Sequence, residues 1–233
     1  MTSAPSTWPR ALLRFAARHR WSLPLAVGSS LFFAHWAEEM RDRELGPFDS
    51  AVAQAVAGLR GRSDSVMLTL TRFGEGESLF VLVVLSAGLL LAFRRPREAV
   101  FLSTVGAGTV VLNALLKLAF ARARPGVDEL YLVHTPRSFS FPSGHALATT
   151  TVLFALVVVA KVAGARGLWL AFLVCFTALV VLGVSASRVY FGVHFPSDVI
   201  GGMLAGAGWV SAVAGWFYPR VLPGEEVPPA EAS

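Results

Sequence analysis

Only one cysteine, Cys175, occurs in the 233 residues of this chain. No internal disulfide is possible, so cysteine usage leaves the redox compartment unread. Cys175 lies in an apolar run and reads as a small buried residue. Charge is scarce too. Asp, Glu, Lys and Arg make up 15% of the chain and hydrophobic residues 55%, against about 25% and 45–50% in a soluble domain. No carboxylate cluster suggests a metal, and no internal repeat is visible. What is abundant is apolar sequence gathered into runs, with a mean hydropathy of +0.61. That pattern argues against a large soluble core and for a bilayer. A net charge of +5 and a pI near 10.1 would suggest nucleic acid in a soluble protein. In a membrane protein, basic residues set topology and attract anionic head groups, so no nucleic-acid partner is expected.

The sequence predicts an all-α integral membrane bundle of six transmembrane helices. The runs fall at 21–37, 78–93, 99–121, 144–163, 168–185 and 197–217. A span needs roughly 20 residues, so the first two are short. Three regions follow: a basic N-terminus at 1–20, a six-span domain at 21–218, and a tail at 219–233 whose Pro, Glu and Ala content predicts disorder. Between the first two spans, Phe48, Val52, Val56 and Leu59 recur at roughly helical spacing. They predict either an interfacial amphipathic helix or a helix packed on the bundle.

Arg10, Arg14, Arg18 and Arg20 precede the first span, Arg94, Arg95 and Arg97 follow the second, and Lys161 and Arg166 follow the fourth. Alternating spans put all of these on one side. The opposite side includes the segment 38–77, with eight acids against five arginines. The positive-inside rule makes the basic side, and both termini, cytoplasmic. No Ala-x-Ala pattern follows Phe33, which disfavours a cleaved signal peptide. Trp8, Trp21, Trp36 and Trp216 fall near expected interfaces. Gly202 and Gly206 form a small-xxx-small pair that predicts close helix packing. Asn113, inside the third span, predicts an interhelical hydrogen bond.

Three polar clusters sit at span ends: Lys117 with Arg124-Pro125, then Pro142-Ser143-Gly144-His145, then Ser187-Arg188 with His194 and Asp198. Span parity alone sends all three to one face, which the positive-inside rule makes extracytoplasmic. Taken singly, each has a bland reading: a snorkelling lysine, a plain helix cap, a surface His–Asp pair. Together they make chemistry. A lysine and a forked guanidinium suit a phosphate. Exposed N–H groups at a helix start favour an anion, with Gly144 allowing close approach and Ser143 adding a donor. Asp198 in the first turn of the sixth span can accept the His194 Nδ1–H and leave Nε2 free as a nucleophile. Arg188 adds a third cation.

Residues 117–125 fit K-x6-R-P, residues 142–145 fit P-S-G-H, and residues 187–198 fit S-R-x5-H-x3-D. With all three motifs intact and in order, the chain resembles the type 2 phosphatidic acid phosphatase superfamily, which also includes vanadium haloperoxidases and glucose-6-phosphatase. The resemblance implies that His194 attacks phosphorus to form a phosphohistidine, Asp198 orients it, and His145 protonates the leaving oxygen. It implies that Lys117, Arg124, Ser143, Gly144 and Arg188 hold the phosphate, with no metal and no cofactor.

The expected activity is hydrolysis of a membrane lipid phosphate or diphosphate: a polyprenyl diphosphate, phosphatidylglycerophosphate or phosphatidic acid. Asp128, Glu129, Tyr131, His134 and Arg137 are expected to shape head-group choice. A lipid phosphotransferase using the same intermediate is the alternative. An anion transporter has no need of a His–Asp pair, and haloperoxidases are soluble. Oligomeric state is not legible.

Overall fold

The computed structural model describes residue 17, residues 19–133 and residues 137–219. Trp8, Arg10, Arg14, Arg18, His134 and the tail from residue 220 lie outside the described residues. Among the described residues there are eight α-helices and no strand: α1 (Ser22–Arg41), α2 (Gly46–Ala57), α3 (Asp64–Phe73), α4 (Gly76–Ala92), α5 (Pro96–Phe120), α6 (Gly144–Val162), α7 (Gly167–Tyr190) and α8 (Pro196–Phe217), with a short 3-10 turn at Val127–Glu129. Pro96 and Pro196 each open a helix, where the missing N–H removes no helical hydrogen bond.

α5, α6, α7 and α8 are each long and apolar enough to cross a membrane, with mean hydropathies of 1.4 to 2.5. α3 and α4 form one further candidate, bent by 49° at the break between them. α1 places His35, Glu38, Glu39 and Arg41 in its last two turns and does not reach the same measure. The described residues thus hold four spanning helices, or five with the bent pair, where the sequence predicts six.

The core of the bundle is a three-helix contact. Phe101, Leu102 and Val105 of α5 meet Ala155, Val158 and Val159 of α6 and Val210, Val213 and Ala214 of α8. The predicted glycine contact is present. A Cβ on Gly202 would lie 2.6 Å from the Ser143 carbonyl oxygen, and one on Gly206 would lie 2.9 Å from that of Leu147. α1 packs along α8, and Trp36 Nε1 donates to the Ser197 carbonyl at 3.0 Å. That tryptophan fastens two helices, a role beyond the interfacial anchor predicted for it.

Two expectations change. Cys175 is exposed, not buried. Only 11% of the spanning window of α7 is buried inside the protein, so an apolar residue there meets hydrocarbon instead of a core. The fifth span does not end at 185. α7 continues to Tyr190, and Ser187 and Arg188 sit in its last turns, because a helix can outlast its hydrophobic run where tertiary partners meet its polar groups. The helical pattern at 48–59 is α2, with Leu59 just past its end, and α2 packs across α7 and α8, as the second of the two alternatives has it.

Candidate active site

The site lies where α5, α6, α7 and α8 end or begin together, beneath α2. α5 stops because Ala121 takes a left-handed backbone, φ 43°. The chain then leaves the helix axis, and Arg124 comes from a loop. Lys117 stays on the last turn of α5, where its ammonium donates to the Phe139 carbonyl. Segment 138–143 returns to start α6. It is anchored by Phe141, which is fully buried against the rings of Phe33 and Phe120. Serines on either side of this plug, Ser140 and Ser143, are thereby held at the site. Both are fully buried.

His194 lies in the turn between α7 and α8. That turn needs Gly192, whose φ is +67° and where a Cβ would sit 2.0 Å from the Glu129 carbonyl oxygen. The imidazole is sandwiched between two charges. Its Nδ1 lies 3.3 Å from Asp198 Oδ2, and its Nε2 lies 3.2 Å from Arg124 Nη1. A guanidinium only donates, so Nε2 is the acceptor and the proton sits on Nδ1, directed at Asp198. Burial, opposed by the Asp198 carboxylate and reinforced by Arg124 and Arg188, lowers the His194 pKa from 6.5 to about 4. The ring is therefore neutral at neutral pH, with an unprotonated Nε2.

Asp198 is fully buried in the first turn of α8. Its Oδ2 accepts from the Phe195 N–H at 2.9 Å and from the Ser140 hydroxyl. Its Oδ1 accepts from Arg122 Nη1 at 2.6 Å. Arg124 also donates to the carbonyls of Val193 and Ser138, at 2.7 and 2.8 Å. Arg188, on the last turns of α7, reaches Thr71 of α3, and its Nε has no partner. His145, in the first turn of α6, is within electrostatic reach of Arg188, His194, Arg124 and Lys117. All eight residues predicted from sequence, Lys117, Arg124, Ser143, Gly144, His145, Arg188, His194 and Asp198, are gathered at this one end of the bundle.

Besides Arg188 Nε, two more buried polar atoms stand idle there. The Ser143 hydroxyl makes no helix cap and has no partner, and neither has the carbonyl oxygen of Asn113. Asn113 packs against Gly144, where a Cβ would come within 3.3 Å of its Oδ1. The interhelical hydrogen bond predicted for Asn113 is not made. Unsatisfied polar atoms at such a depth are costly. Their position beside three cations and a helix N-terminus marks a cradle for an anion. Among the described residues, no group of three or more His, Cys, Asp or Glu side chains is placed to hold a metal ion.

A cleft of about 290 Å³ opens beside His194, with Ser50, Gln54, Arg60, Asp128 and Glu129 in its wall. Of the residues expected to shape head-group choice, Asp128 and Glu129 are at this opening. Tyr131 is not; its hydroxyl donates to Asp64 at 2.9 Å.

Sequence reasoning missed four residues of the site: Asp49, Arg122, Ser140 and Ser197. Arg122 Nη2 donates to Asp49 Oδ2 at 2.8 Å, and the Ser197 N–H donates to Asp49 Oδ1 at 2.7 Å. Arg122 lies inside the x6 stretch of the first motif, where no residue type is specified. Asp49 is 148 residues from Ser197. The signals were a carboxylate on α2, a helix outside the three-helix core, and a second arginine two residues before Arg124.

The sequence model of the PAP2 superfamily matches residues 98–222. The chain is 30% identical over 184 residues to phosphatidylglycerophosphatase B of Bacillus subtilis, covering 77% of this chain and 88% of that protein. It is 35% identical over 154 residues to an undecaprenyl-diphosphatase of Sulfolobus acidocaldarius, covering 64% of this chain and 67% of that one. The crystal structure of a transmembrane PAP2 type phosphatidylglycerolphosphate phosphatase from Bacillus subtilis superposes with a TM-score of 0.73 at 28% identity, over 83% of this chain and 96% of that chain.

Proposed function

The chain belongs to the PAP2 superfamily, and on that premise we propose that it is a membrane lipid phosphatase acting through a phosphohistidine on His194. The observation that carries this reading is the polarity of the His194 ring. Its Nδ1 faces the Asp198 carboxylate at 3.3 Å and its Nε2 faces the Arg124 guanidinium at 3.2 Å.

In the first step, Nε2 attacks phosphorus and the bond to the lipid oxygen breaks. His145 gives its proton to that oxygen, and the free lipid leaves. Asp198 holds the Nδ1–H as positive charge builds on the ring. In the second step, water attacks the phosphohistidine, with His145 now taking a proton as base. Lys117, Arg124 and Arg188, the Ser143 hydroxyl and the backbone N–H at Gly144 hold the phosphoryl oxygens. Phosphoryl transfer asks mainly for positioning and charge stabilisation, which this set supplies. No step is assigned to a metal.

Polyprenyl diphosphate and phosphatidylglycerophosphate are the substrates to test first, since relatives named for such lipids match this chain over more than half its length. The lipid tail stays in the bilayer while the head group enters beside α2. This reading has six crossings, with α1, α4, α5, α6, α7 and α8 as the spans. The site is extracytoplasmic and both termini are cytoplasmic, as the basic residues indicate.

The test is phosphate release by purified protein from polyprenyl diphosphate, phosphatidylglycerophosphate and phosphatidic acid, each with EDTA. At least one lipid is expected to be hydrolysed by the native protein and none by the His194→Ala variant. Strict dependence on a metal would contradict the mechanism. Phosphate transfer to an added lipid alcohol in place of release would make the protein a phosphotransferase.

A further inference from the structure

Asp198 can orient His194 only if it is itself held, and how it is held was not evident from the motifs. Its carboxylate is fully buried, with one oxygen turned to His194 and the other to Arg122. Arg122 is shared. Its Nη1 donates to Asp198 Oδ1 at 2.6 Å and to the Ser197 hydroxyl at 2.7 Å, and its Nη2 donates to Asp49 Oδ2 at 2.8 Å. Asp49 in turn accepts from both the N–H and the hydroxyl of Ser197, each at 2.7 Å. The Arg122 guanidinium carbon lies over the Phe195 ring, 4.1 Å from its centroid. The side chains of Asp49, Arg122 and Asp198 are 4%, 18% and 0% exposed. One guanidinium therefore joins two nearly dry carboxylates from α2 and α8.

Such a cluster is a poor way to gain stability, because desolvation consumes most of the attraction between buried ions. What it supplies is direction. The planar fork fixes both carboxylates at once, which a lysine could not do. The Asp49 oxygens meet the start of α8, so the helix that carries Asp198 is fixed by the same clamp.

We propose that Arg122 and Asp49 are positioning residues that aim the Asp198 carboxylate at His194 and set how strongly it draws the Nδ1 proton. This rests on the phosphohistidine reading above. The charged groups facing His194 directly are Asp198 of α8, Arg124 of the loop after α5 and Arg188 of α7. His145 of α6 is also within reach, and it in turn senses Lys117 of α5. Arg122 and Asp49 act on His194 through Asp198, and their signs are opposite. Without Arg122, Asp198 is less neutralised and draws the imidazole proton harder, so His194 takes up an extra proton at a higher pH. Without the Asp49 charge, Arg122 opposes Asp198 alone, and His194 takes up that proton at a lower pH.

The test measures kcat, KM and the pH profile of kcat/KM with farnesyl diphosphate, using the full-length purified protein. Arg122→Gln and Asp49→Asn should each lower kcat by about 10- to 100-fold, the usual loss when a group supporting a site residue is removed. KM should stay within about 3-fold. The acid limb should move up in pH for Arg122→Gln and down for Asp49→Asn. Arg122→Lys keeps the charge but loses the fork, so its limb should stay near the native position while kcat falls.

If Arg122→Gln cannot be purified, the double variant Arg122→Gln/Asp49→Asn leaves no lone buried charge between the two positions. Its limb should return toward the native pH with kcat still low. Near-native kcat in these variants would overturn the proposal. So would lower thermal stability with unmoved limbs, the mark of a purely structural clamp. A His194→Ala arm separates the two levels of the account: activity there sinks the phosphohistidine reading itself, whatever Arg122 does.

Discussion

His194 would be an ordinary histidine but for its two neighbours. Asp198 faces its Nδ1 at 3.3 Å and Arg124 faces its Nε2 at 3.2 Å, and in the proposed mechanism Nε2 turns from that guanidinium to phosphorus. Burial lowers its pKa to about 4, which has two consequences. Attack requires the neutral ring, so the His194 limb of kcat/KM should fall near pH 4 and not near 6.5, once the ionisation of the substrate phosphate is separated out. The second concerns stability. An unfolded chain takes up this proton around pH 6.5, before the folded one does, so this contribution to stability shrinks as pH falls from about 6.5 to about 4. Chemical denaturation across that range checks the sign. Asp198→Asn should cost at least about 100-fold in kcat, since the carboxylate sets both tautomer and charge. Near-native turnover in that variant would remove Asp198 from the mechanism. At this scale the motif residues were legible, because each pairs a reactive side chain with a span end. Asp49, Arg122 and Ser140 were not, because their roles come from contacts between distant segments that no spacing encodes.

Helix ends make the site, and helix contacts keep those ends in register. α6 and α8 meet where Gly202 lies under the Ser143 carbonyl, and the backbone N–H of Ser143 donates to the Asp198 carbonyl at 2.9 Å. The proposed phosphate cradle and the acid proposed to orient His194 are thus tied through backbone. A methyl at Gly202 would come within 2.6 Å of that carbonyl oxygen, whereas one at Gly88 of α4 meets nothing within 4 Å. Gly202→Ala should therefore cost about 1–3 kcal/mol, as overpacking does, and lower activity by displacing Ser143. Gly88→Ala should leave both unchanged. Thermal unfolding and phosphate release on the two variants check the difference, and equal behaviour would show that the contact is not critical. Hydrophobic runs predicted the helices that carry the site, but not their ends. α7 outlasts its apolar run by a turn where Arg188 reaches Thr71 of α3 and the Ser187 hydroxyl donates back to the Val184 carbonyl, and α5 stops short of Arg124 at a left-handed alanine that no composition rule marks.

For the whole molecule, the sequence shows a membrane bundle because its charges are few and its apolar residues are gathered. It is less decisive about the number of crossings, since α1 ends in acids and bases and α4 is preceded by the bend after α3. Orientation can be measured. In a Cys175→Ser background, a cysteine at position 137 should react with an impermeant maleimide in intact cells, and one at position 166 only after permeabilisation. The reverse pattern would turn the proposed orientation around. The claim on which everything else depends is covalent chemistry at His194. Rapid acid-free quenching of the native protein during turnover, followed by mass spectrometry, tests it most directly. The account predicts a single phosphate on His194, stable in base, labile in acid and absent from His194→Ala. Full turnover with no phosphate on His194, or with phosphate on another residue, would contradict it.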